Sequence, residues 1–252
     1  MQLTLSRVRS TQRGFSLVEL MVGITIGLIV TAGASVVAVN QINEHRRLML
    51  ETQVQQDLRA AADLLQQDMR RAGFRGIPQL GVWQPASGVG TPLEVPAQSA
   101  SASPYAAVSV TNSVTDTGGL RTLEYKYARK NEGGTYSSGD APLSNEYFGV
   151  RWDKGKHTLY LKLGKTNGQD NWQPITDPDT VQIINFEIQV VEQSFGLGEF
   201  CENSCVGSTC PQQSIRRVEF KIRGRAVHDS NVVRTLTGVE RIRADTVTGA
   251  CP

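Results

Sequence analysis

From Phe15 to Val39 almost every position is apolar, and Glu19 is the single charged side chain in that stretch. An apolar run of this length predicts a helix long enough to span a bilayer. Beyond it the pattern turns periodic. Val54, Leu58, Ala61, Leu65, Met69 and Ala72 recur at three- and four-residue spacing, while Gln55, Gln56, Arg59, Asp63, Gln66, Gln67 and Arg70 occupy much of the remaining surface. That stripe predicts an amphipathic continuation of the helix, over 40–73, packed by its apolar side on the chain's own head. Arg70 and Arg71 complement a negative helix end, and Gly73 suits the left-handed residue that follows one.

Residues 84–104 are dense in Gly, Pro, Ser and Ala, and the composition predicts a loop. Alternation of period two follows: Leu123, Tyr125 and Tyr127 against Glu124 and Lys126, then Leu159, Leu161 and Leu163 against Tyr160 and Lys162. Asn167-Gly168 predicts a turn before Trp172. Ile184, Phe186, Ile188 and Val190 define another inward face, as do Val218, Phe220 and Ile222, whose neighbours Arg217, Glu219, Lys221 and Arg223 face outward. A last strand falls within Val232–Arg243. One long helix followed by successive antiparallel strands reads as an α+β chain, with a β-rich head over 74–252.

Charge sharpens this picture. The formal net charge is +2 and aromatics make up 6% of the chain, a balance that disfavours a nucleic-acid partner without eliminating one. Arg7, Arg9 and Arg13 precede the apolar run, and mixed signs (Glu44, His45, Arg46, Arg47) follow it, which favours a cytoplasmic N-terminus and an exported head. Cys201, Cys205, Cys210 and Cys251 all lie on that exported side, so disulfides are expected rather than zinc. No CxxC pair is present and His228 has no companion at ligand spacing. Were Ile215–Arg225 and Val232–Arg243 a hairpin, a turn near His228 would set Cys205 opposite Cys251, and one near Ser230 would set Cys210 there. Three pairings remain open.

The chain has no GxSxG elbow, Walker-type loop, HExxH or dinucleotide fingerprint, so no catalytic residue, metal site or cofactor is expected. His45, His157 and His228 are scattered. Asp177-Pro178-Asp179 reads as a turn in preference to a calcium loop. Trp83, Trp152 and Trp172 read as core or rim packing in preference to a sugar or partner surface.

Glu19 is the position that demands explanation, because a lone carboxylate in such a run costs about 2.5–3.5 kcal/mol at mid-bilayer. Ala32-Gly33-Ala34 offers a secretory cleavage site that would leave Ser35 first, and an uncleaved anchor is the other plain reading; neither accounts for the carboxylate. Gly14-Phe15-Ser16-Leu17-Val18-Glu19 resembles the prepilin (class III signal) motif of type IV pilins and type II secretion pseudopilins. The resemblance implies a leader over 1–14, a transmembrane half-helix over 15–39, cleavage between Gly14 and Phe15 by a prepilin peptidase, and N-methylation of Phe15. Within a bundle of such helices Glu19 is placed to pair with the new amine of a neighbour; stranding one partner of a buried pair costs about 3–5 kcal/mol. Glu19 is then an assembly contact.

Asp68-Met69-Arg70-Arg71-Ala72-Gly73-Phe74-Arg75-Gly76 is similar to the helix end of PilW-type minor pilins, and Val36 stands where many major pilins carry proline. These resemblances imply a minor pilin anchored in the inner membrane with its head in the periplasm, then carried onto the cell surface in the pilus. Its implied partners are the prepilin peptidase/methyltransferase, other minor pilins, the major pilin and a PilY-type tip adhesin, with a place in the priming complex. A J-class pseudopilin of a type II secretion system is the alternative assembly. A pilus-displayed adhesin or DNA-binding module is the alternative of a different class.

Overall fold

The computed structural model describes residues 14–76, 103–130, 142–207, 209–249 and 251. Residues 1–13 of the leader, Trp83 and residues 84–102 of the connector lie outside the described residues. The chain forms two compact units, Met1–Met49 and Leu50–Pro252. The described part of the first is helical from Leu17, where α1 (Leu17–Met69) begins. Its apolar stretch is long enough to cross a membrane and none of it is buried in the protein. The hydroxyls of Thr25, Thr31 and Ser35 donate to the carbonyls of Val22, Gly27 and Thr31 at 2.9, 2.6 and 2.8 Å. Backbone therefore satisfies these polar groups without water.

Among the described residues, the second unit holds the end of α1 and eight strands: β1 (Ser109–Asn112), β2 (Leu120–Lys126), β3 (Tyr147–Asp153), β4 (Thr158–Thr166), β5 (Gln169–Pro174), β6 (Val181–Gly196), β7 (Gln212–Ala226) and β8 (Val233–Thr248). They make two antiparallel sheets in sequence order, β1 to β5 and β6 to β8. The architecture is α+β, a long N-terminal helix packed against antiparallel sheets. Val54, Leu58, Ala61, Leu65 and Met69 are buried, so the stripe is core. Two glycines let the helix lie close on the second sheet. A Cβ on Gly224 of β7 would stand 3.0 Å from a Leu58 methyl, and one on Gly238 of β8 would overlap the Phe220 ring and approach Gln66 at 2.9 Å. Edge carbonyls of β6 are met from the other sheet: Trp152 Nε1 donates to Ile183 at 3.1 Å, and Arg121 donates to Phe186.

Several expectations change in detail. The helix ends at Met69, and Ala72 N already bonds Met69 O at 3.0 Å in a tighter turn. Gly73 is left-handed (φ 80°), and its N–H donates to Lys126 O at 2.8 Å. Asn167 and Gly168 form the expected turn, both at positive φ (52° and 78°). On β6 the inward face is Val181, Ile183, Phe186 and Ile188, with Ile184 off that face. The reason is a bulge: Ile183 pairs with Gly224 and Asn185 with Arg223, so Ile184 is the extra residue that flips the phase. On β4 burial departs from the expected pattern past Leu161, with Lys162 only 3% and Leu163 46% exposed, although the pairing with β3 runs unbroken and keeps Lys162 on the face of Gly149. Only the pairing with β5 shifts register, between Lys162 and Lys165.

Candidate functional site

Gly14, Phe15 and Ser16 lie outside the helix and lead directly into it; Leu20 N donates to Ser16 O at 3.1 Å to close the first turn. Nothing stands within 4 Å of where a Gly14 Cβ would be, and Phe15 is 81% exposed. The Gly14–Phe15 peptide is thus accessible backbone just ahead of the helix, which suits the approach of a protease. Glu19 sits in the first turn of α1, where the helix dipole is positive and favours a carboxylate. From residue 14 to residue 43 it is the only ionisable side chain, so no partner for it exists within this stretch.

The four cysteines converge at one end of the second sheet. Gly196, Gln212 and Thr248 lie in register across β6, β7 and β8, so the β6–β7 loop and the C-terminal tail leave the sheet together. Cys201 bonds Cys251 with Cα atoms 5.5 Å apart, and Cys205 bonds Cys210 at 5.7 Å. This differs from the hairpin reading, which set Cys205 or Cys210 opposite Cys251. The loop folds on itself: Leu197 N bonds Pro211 O at 2.7 Å and Cys205 N bonds Gly198 O at 3.4 Å. That closure pairs Cys205 with Cys210 and leaves Cys201 for the tail.

Other residues singled out by sequence stay apart. Asp177 closes a turn, its carboxylate accepting from Asp179 N at 2.9 Å. No metal-ligand cluster occurs among the described residues. Trp152 is buried, whereas Trp172 lies on the outer face of the first sheet with the Arg151 guanidinium 4.5 Å from its ring centre.

Three buried polar clusters were not legible beforehand. Asp68 accepts from the hydroxyls of Tyr127, at 2.7 Å, and Tyr125. Burial pushes its carboxyl above the ordinary value, a rise the two tyrosines, Arg71 and Arg129 only partly oppose. Burial also raises both phenols, reinforced by the carboxylate they face. Glu146 is wholly buried and accepts from Tyr105 Oη (2.8 Å), Arg129 N (2.8 Å) and Leu143 N (2.7 Å), tying three separate segments together. Lys162 reaches Glu124 and Asp170, both at 2.7 Å. Burial works against its charge, but these two bonds outweigh it and hold the ammonium above its usual range. The side chain crosses β3 at Gly149, which stands between Glu124 and Lys162 and has no side chain to block it.

Comparison with known proteins places two matches on this chain. Residues 9–35 match the prokaryotic N-terminal methylation motif, the stretch that contains Gly14, Phe15 and Glu19. Residues 47–242 match the family described as prepilin peptidase-dependent protein B, which takes in the buried half of α1 and nearly all of both sheets. No curated protein and no solved structure matches. With a methylation motif leading into an apolar helix, and a head covered by that one family, the chain belongs to the prepilin peptidase-dependent protein B family of pilin-like proteins.

Proposed function

We propose that the chain is a minor pilin of the PilW type, cut between Gly14 and Phe15, N-methylated on Phe15, and drawn from the inner membrane into the tip or priming complex of a type IV pilus. The observation that carries this reading is the coincidence of the methylation motif over 9–35 with the start of α1 at Leu17. Cleavage there leaves a new amine two residues ahead of an uninterrupted apolar helix. Glu19 has no partner in its own stretch, and the amine of a neighbouring subunit would supply one.

N-terminal sequencing of the mature protein tests the processing step. Methylated phenylalanine at Phe15 is the expected result; recovery of Ser35 as the first residue would overturn it. Glu19→Ala tests the pairing: the variant inserts into the membrane as before but is lost from sheared filaments. Its incorporation at the normal level would remove Glu19 from assembly.

A further inference from the structure

The end of α1 and the run that follows it, singled out by sequence, open onto a cleft of about 570 Å3. Five cations converge on it: Arg70 and Arg71 after the last helical residue, Arg129 and Lys130 beyond β2, and Arg243 on β8. No acidic side chain lines it among the described residues. Two carboxylates stand nearby. Glu240 pairs with Arg70 at 2.9 Å, and Asp68 is engaged by Tyr125 and Tyr127. Arg243 is exposed and has no ion pair or hydrogen bond among the described residues. A sixth cation, Arg216, is 8% exposed and lies behind Gly73; its guanidinium bonds the carbonyls of Ala106 and Ala244, with no carboxylate bound to it. Among the described residues Glu240 and Asp68 offset part of this charge, at Arg70 and at Arg71 and Arg129, and Arg243 is left with no ion pair.

Its walls narrow the choice of anion. The backbone of the floor is spent: Gly73 N bonds Lys126 O at 2.8 Å and Ala128 N bonds Phe74 O at 2.7 Å. Neither Gly73 nor Ala128 has an N–H free for an anion, so recognition falls to guanidinium forks, which take a carboxylate or a phosphate group two bonds at a time. The Tyr127 ring lies flat on Phe148, 3.7 Å between centres, and offers no platform for a base. The cations converge on one compact space of ordinary ligand-pocket size, unlike the extended track that a nucleic-acid backbone follows. Phe74, 41% exposed, adds one apolar contact.

We propose that this cleft is a docking site for a short acidic segment of a partner protein, its carboxylates held by Arg71, Arg129 and Arg243 and an apolar side chain resting on Phe74. The site lies wholly in the head and is independent of Phe15 processing and Glu19 pairing, so its failure would leave the filament reading untouched.

The test uses the full chain in detergent and fluorescence anisotropy with a labelled hexaglutamate peptide, a hexaglutamine control and an oligothymidine competitor. The glutamate peptide should bind at least about tenfold more tightly than the glutamine control and weaken as salt is added. Arg243→Glu should reduce its affinity about tenfold or more without lowering the melting temperature, because Arg243 has no partner to lose. Arg243→Gln serves as a second variant, reversing no charge, with a smaller loss in the same direction. Equal binding of the two peptides, or indifference to both Arg243 variants, would overturn the proposal. Displacement by oligothymidine at lower concentration than unlabelled hexaglutamate would also overturn it and assign the cleft to nucleic acid.

Discussion

Asp68 shows how a single residue can serve two purposes in this head. In the sequence it opens the Asp68–Gly76 run, beside Met69 of the apolar stripe. In the structure it faces Tyr125 and Tyr127, which alternation correctly turned inward, and so it becomes a half-buried acceptor between helix and sheet. Its carboxyl is raised by burial above a reference value of 3.8. A raised carboxyl means that the folded state holds the proton more tightly than the unfolded one. Its contribution is then most favourable below the unfolded value and is lost as pH rises through the folded value. Asp68→Asn removes that titration while keeping one oxygen acceptor. The stability of the variant relative to the parent should therefore increase as pH rises from near 3.8 and then level off, as read from melting temperatures in detergent across that range. A flat difference would show that the carboxyl does not carry the burial cost.

At the scale of elements, periodicity located the helix stripe, the Asn167–Gly168 turn and the inward faces of β2 and β7. It failed on β6 because a bulge is a property of strand pairing: nothing in Ile183-Ile184-Asn185 says which residue will lack a partner. Lys162 failed for a related reason. Its burial depends on Gly149 of β3 and Asp170 of β5, two residues that only sheet register brings beside it. The helix–sheet contact was equally hidden, since nothing in the sequence marks Gly224 and Gly238 as the places where α1 lies close. Gly238→Ala should destabilise the head by about 1–3 kcal/mol, because the added methyl would overlap the Phe220 ring in a packed core. Gly224→Ala should cost less, since its methyl meets only the movable ends of Leu58 (3.0 Å) and Val181 (3.1 Å). Denaturant midpoints of the two variants give the order; the reverse ranking would contradict this placement of the helix.

For the molecule as a whole, the disulfides join what the strands leave apart. The Cys201–Cys251 bond has a sequence separation of 50 and holds the C-terminal tail, whereas Cys205–Cys210 has a separation of 5 and closes one loop. Loop-closure entropy gives the first about 4 kcal/mol and the second about 2 kcal/mol. Replacing Cys201 and Cys251 by serine should thus lower the denaturant midpoint more than replacing Cys205 and Cys210. An equal loss from both would place the stabilisation elsewhere than in chain closure.

What the sequence determined by itself was whatever depends on nearest neighbours and short periods. Those are the apolar run with its single carboxylate, the methylation motif around Gly14 and Phe15, the helix stripe, the α+β order and the presence of four cysteines late in the chain. What only the tertiary structure decided depends on register between distant segments: which cysteines bond, which strand residues bulge, why Lys162, Asp68 and Glu146 lie inside, and how five cations from three segments come to share one cleft. Local pattern reports the face a residue prefers. Its partners follow from how strands pair and how closely a helix can approach them, and those distances are set by residues far away in the chain.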